Sequence, residues 1–102
     1  MATVEFNIEA RRDLRAYRAW LRKEAGRRIA DRWIEALLDW IEKLRDFPDL
    51  GTPRPDLRAA LRTRVFRRSV TIAYVSVDGR VTVLRVLARG RDLTAELFSA
   101  DR

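Results

Sequence analysis

Two periodicities divide the chain. Val4, Phe6 and Ile8 alternate with Glu5, Asn7 and Glu9, which predicts a short half-buried strand. Asn7 is then placed to cap a helix whose first turn carries Glu9. Leu14, Tyr17 and Leu21 keep one side of that helix apolar, Arg11, Arg15, Arg18 and Arg22 occupy others, and Gly26, free to take a positive φ, ends it. Ile29, Trp33, Leu37, Ile41 and Leu44, widened by Ala30, Ala36 and Trp40, carry a second helical stripe to about Phe47, where Pro48 stops it. The period then falls to two. Arg62 to Phe66, Val70 to Val77 and Val81 to Ala88 read as strands, and Asp78-Gly79 between the last two is a strong hairpin signal. The connector DFPDLGTPRPDL holds all three prolines, so a fixed, irregular crossing is expected there. The order β-α-α-β-β-β predicts an α+β fold, with a small antiparallel sheet packed on one face by an N-terminal helical hairpin.

Composition narrows this picture. A chain of 102 residues suits one domain, residues 1–102, with room for a single core. Its apolar runs are far shorter than the ~20 residues a membrane helix needs, and charges at Glu5, Glu9, Arg11 and Arg12 interrupt any signal-like start. A soluble, non-exported protein is expected, with no membrane partner. Absence of cysteine and histidine excludes disulfides, thiolate chemistry and cysteine- or histidine-built zinc sites. With no glycine-rich phosphate loop either, no cofactor and no metal are expected.

The net charge of +7 is unevenly placed: 11 basic against 10 acidic side chains up to Thr52, and 11 against 5 beyond it. Such a field attracts phosphates or an acidic protein. Two tryptophans, Trp20 and Trp40, are candidates for a protein contact. Trp33 and Tyr74 are expected in the core, Tyr74 because it alternates in step with Val70 and Ile72. Arg62 and Arg64, two residues apart, share a sheet face, and with Arg85 they are expected to line a common positive surface.

Several pieces in order carry a resemblance. Phe47-Pro48 closes the second helix, Leu50-Gly51 and Pro53-Arg54-Pro55 follow, then Leu61-Arg62, Val70-Thr71-Ile72-Ala73-Tyr74, Val83-Leu84-Arg85-Val86-Leu87 and Arg91-Asp92-Leu93. From about Val4 to Leu93 the chain resembles the ParE branch of the ParE/RelE toxin superfamily. It departs in having Ala88-Arg89 where the family often has His-Gly, which removes the residue that would suggest a general base, and Val70 where a first tyrosine is usual.

The resemblance implies a cytoplasmic bacterial type II toxin, held inactive by a ParD-like antitoxin in a heterotetramer or larger assembly. ParE-like members bind and poison DNA gyrase; RelE-like members cut ribosome-bound mRNA. Nuclease chemistry needs a base, an acid and cations around the phosphate. The chain has no lysine after Lys43 and no tyrosine after Tyr74, so its proton carriers there would be carboxylates such as Asp92 or Glu96, or an arginine, a poor base because it stays protonated. No catalytic residue is assigned, and the binding poison is favoured over the mRNA endonuclease. A non-toxic basic nucleic-acid-binding module is the third reading; the arginines support it, but no recognition helix or stacking platform accompanies them. Antitoxin contact is expected at Trp20, Trp40, Arg62, Arg64 and Arg85, and phosphate or target contact at Arg89 and Arg91.

Overall fold

The computed structural model describes residues 3–88, 91 and 93–101. Strand β1 (Thr3–Phe6) leads into α1 (Ile8–Ala25), whose first turn is closed by Asn7: its side-chain oxygen accepts from the Ala10 N–H at 2.9 Å. Gly26, at φ 89°, makes the turn to α2 (Arg27–Glu42). A 3-10 turn (Lys43–Arg45) ends the helical stretch sooner than Pro48 alone would require.

The strands β2 (Thr52–Pro53), β3 (Arg62–Phe66), β4 (Val70–Val77) and β5 (Arg80–Ala88) complete a sheet in the order β1-β5-β4-β3-β2. The antiparallel expectation holds from β2 to β5 and fails for β1, which pairs with β5 in parallel, Thr3 beside Arg80 and Phe6 beside Val83. Period-two alternation carries no information about strand direction; here the helical hairpin returns the chain so that the first strand lies beside the last. Two-residue β2, inside the connector, is too short to leave a periodic signal. Asp78 and Gly79, at φ 50° and 76°, form the expected tight hairpin.

The main core lies between helices and sheet. Ala10 and Tyr17 of α1 and Ile34, Leu37 and Ile41 of α2 meet Phe66, Val70, Ile72, Tyr74, Val81, Val83, Val86 and Ala88. The inward stripe of α2 is therefore shifted from the one read above: Ile29 is 59% exposed, Trp33 is only half-buried, and Ile34 takes the central place. Both registers fit a helical period, and only packing distinguishes them. A second, smaller cluster of Leu61, Ala73, Leu84 and Phe98 forms on the other sheet face, so the single-core expectation is also corrected. Phe98 arrives on a 3-10 segment, Ala95–Asp101, which covers that face.

Strands β4 and β5 shift register at Ala73/Tyr74: Tyr74 pairs with Val83 and Ala73 with Arg85, leaving Leu84 as a bulge. Val83 and Val86 thereby both reach the main core while Leu84 turns to the other face. This bulge also sets the position of Arg85.

Candidate functional site

The prolines and Gly51 of the connector gain their role from the sheet. Tyr74 is fully buried; its hydroxyl donates to Pro48 O at 2.7 Å and accepts from the Gly51 N–H at 2.8 Å. Arg62 Nη1 donates to Gly51 O at 2.7 Å and to Asp49 O at 3.1 Å. Four hydrogen bonds from two strand residues thus hold the loop backbone on both sides of Leu50. Phe47 and Leu50 point outward, 60% and 50% exposed. The loop is a rigid platform for two apolar side chains in water.

Arg85 is held differently. Its Nε and Nη2 donate to the two carboxylate oxygens of Asp13 at 2.7 and 3.0 Å, and Asp13 Oδ2 also accepts from the Val86 N–H at 2.9 Å. The two side chains retain only 13% and 8% of their exposure. The Asp13 hydrogen bond raises the Arg85 pKa above the ordinary arginine value, with burial opposing it. Nothing in the apolar pattern of the sequence marks Asp13 as a site residue, although its spacing from Ala10 and Tyr17 places it on the buried side of α1. That acid on an inward stripe was the available signal.

The expected common surface of Arg62, Arg64 and Arg85 does not form. Arg62 and Arg64 do share a face, pairing with Tyr74 and Ile72, but it is the helix-covered face, and Arg62 serves the loop. Arg85 is two strands away on β5 and neutralised by Asp13. Arg64 alone of the three makes no ion pair or hydrogen bond among the described residues; its guanidinium carbon lies 4.3 Å from the Trp40 ring centroid. Trp40 also packs on Phe66, with centroids 5.1 Å apart. Trp20 stacks on Tyr17 at 6.2 Å, and the two line a small depression with Asp13, Val86 and the exposed Arg91, which stands 3.8 Å from Asp13. Arg89 and Asp92 lie outside the described residues.

Between the helices runs a groove of about 280 Å³ lined by Leu14, Ile34 and Leu38 with Arg11, Arg15 and Arg18 along α1. Among the described residues no group of three or more acidic side chains is arranged to hold a metal ion. No helix among them is long and apolar enough to cross a membrane.

Both tyrosines are unsuited to proton transfer near neutrality. Burial pushes the Tyr74 phenol up, opposed mainly by the Gly51 N–H, and burial likewise pushes Tyr17 up. A native phenol held above its unfolded value, about 10, retains its proton where the unfolded chain loses it. The stabilising contribution is complete below about pH 10 and is lost as the pH rises through the folded values. The guanidinium midpoint should therefore hold steady from pH 8 to about 9.5 and fall above 10, with a shallower fall in Tyr74→Phe. A fall equally steep in the variant would remove Tyr74 as a cause.

The family model described as the ParE toxin of type II toxin-antitoxin system, parDE, matches residues 4–93. A solved structure titled as a chromosomal ParDE TA system from P. aeruginosa superposes with a TM-score of 0.75 at 18% identity, covering 86% of this chain and 96% of that one. At that identity the likeness is one of fold. Curated protein sequences offer no match.

Proposed function

Because the chain belongs to the ParE toxin family of type II toxin–antitoxin systems, we propose that it acts in the cytoplasm by binding DNA gyrase and trapping it on cleaved DNA, and that a ParD-like antitoxin neutralises it. One observation carries the choice of binding over catalysis. Tyr74 and Arg62, groups a ribonuclease would draw on, are committed to the connector, and what they hold in place is a loop with Phe47 and Leu50 in solvent. A preorganised apolar pair loses little conformational entropy on association, so its buried area appears as affinity.

Antitoxin binding has separate support. The groove floored by Leu14, Ile34 and Leu38 and rimmed by three α1 arginines fits an amphipathic helix with acidic flanks, in a heterotetramer or larger assembly. Arg64, which makes no ion pair among the described residues, is a further contact for such a chain, whereas Arg62 and Arg85 serve the fold.

The test is a gyrase supercoiling and cleavage assay with antitoxin-free protein, with ribosome-bound mRNA in parallel. Linearised DNA and intact mRNA are expected, and the double variant Phe47→Ala/Leu50→Ala should lose at least about tenfold in potency, one RT ln 10 of binding energy, at unchanged melting temperature. Cut mRNA with unaffected gyrase would overturn the reading.

A further inference from the structure

Three arginines at one corner of the sheet lack a counter-charge among the described residues. Arg64 on β3 and Arg67 and Arg68 in the turn to β4 make no ion pair and donate no described hydrogen bond, unlike Arg62 and Arg85. Arg64 Nη1 is buried without an acceptor among the described residues, an uncommon state for a charged donor.

The guanidiniums lie on an aromatic row. Phe66 sits between Trp33 and Trp40, which are two helical turns apart on α2, with centroids 5.4 and 5.1 Å away. Arg64 covers Trp40 at 4.3 Å, and Arg67 covers Trp33 and Phe66 at 5.2 and 4.8 Å. With Nη1 buried, Arg64 can offer a carboxylate only its other N–H groups, while Arg67, in the exposed turn, keeps its N–H edge open to one.

The turn carries a conformational cost. Arg67 and Arg68 have φ of 47° and 59°, a pair of left-handed residues closed by the Ser69 N–H donating to Phe66 O at 2.8 Å. Such turns favour Asn-Gly, and the β4–β5 hairpin of this same molecule uses Asp78-Gly79. Two arginines held in an unfavourable backbone region, beside a third without a partner, indicate that charge at this corner outweighs local stability.

We propose that the corner of Arg64, Arg67, Trp33, Trp40 and Phe66 is a docking site for an acidic segment of a partner protein, with one carboxylate bonding to Arg64. Protein is favoured over nucleic acid because the guanidiniums already occupy ring faces on which a base would stack. The proposal rests on the antitoxin reading, to which it adds Arg67 and the aromatic row, and it is independent of the gyrase reading; failure of the peptide at this corner would leave the helix groove as the antitoxin site.

The experiment titrates the full chain with an N-acetylated deca-glutamate peptide and, separately, with oligothymidylate of equal charge, following the indole N–H resonances of Trp33 and Trp40. The peptide should move both resonances, and Arg64→Gln should weaken it about tenfold or more, whereas Arg80→Gln, at the other end of the sheet, should leave affinity within about twofold. Replacing Arg67 and Arg68 with Asn-Gly should raise the melting temperature while weakening the peptide, a combination that a purely structural turn would not produce. Equal losses for Arg64→Gln and Arg80→Gln, tighter binding of the oligonucleotide, or unmoved indole resonances would each overturn the proposal.

Discussion

Replacing Asp13 with alanine should remove about 2–4 kcal/mol of folding stability, somewhat less than the loss when one member of a fully buried ion pair is deleted, because this pair is only partly buried. The substitution leaves the Arg85 guanidinium, whose side chain is 13% exposed, without its two acceptors, and the Val86 N–H without its one. The position matters because β1 pairs with β5 only as far as Val83. Beyond it the β5 edge would face solvent, and the Asp13 carboxylate covers it at Val86. Since domains of this size hold only about 5–15 kcal/mol, Asp13→Ala should be marginally folded at 37 °C. Asp13→Asn, which keeps an acceptor without the charge, should lose about 1.5–3 kcal/mol. Denaturant titration at constant m-value measures both, and a loss under about 1 kcal/mol for Asp13→Ala would contradict this account. It also assigns Arg85→Glu to folding: a carboxylate set against Asp13 would unfold the protein before it reported on antitoxin binding.

Gly51→Ala is expected to be the other large effect. Its backbone lies outside the positive-φ region, so the constraint is space: an added Cβ would lie 2.7 Å from the Tyr74 hydroxyl, 2.8 Å from its Cε1 and 3.0 Å from the Arg62 Cβ. Tyr74 is in the closed core and cannot retreat, so the loop must move, at a cost of about 1–3 kcal/mol for overpacking. Tyr74→Phe should lose about 1–3 kcal/mol by leaving Pro48 O and the Gly51 N–H without their partner. The double variant should lose less than the sum, because the hydroxyl that clashes with the new methyl is the one deleted. Strict additivity would mean that loop and tyrosine are not coupled as described. If the proposed gyrase reading holds, Gly51→Ala should also reduce poisoning where it remains folded, since the displaced segment carries Phe47 and Leu50.

The family signature acquires a physical meaning from these contacts. Pro48, Gly51, Arg62 and Tyr74 are distant in sequence yet form one hydrogen-bonded unit. Their order along the chain was enough to carry a resemblance, but their cooperation was not visible from spacing. Phe47 and Leu50 illustrate the opposite difficulty. Their apolar character suggests burial, and only the pinned backbone directs them outward.

Local pattern determined the elements themselves: the Asn7 cap, the break at Gly26, the Asp78-Gly79 hairpin and the three long strands follow from side-chain period and from φ preferences, which act over a few residues. Tertiary structure decided the rest. The parallel placement of β1, the register that buries Ile34 instead of Ile29, and the bulge at Leu84 depend on which surfaces meet across the core. The same holds for the arginines. Identical in residue type, Arg62 supports a loop, Arg85 neutralises Asp13 and Arg64 makes no ion pair among the described residues, because a guanidinium's role is set by the acceptors within its reach, and those come from segments far away along the chain.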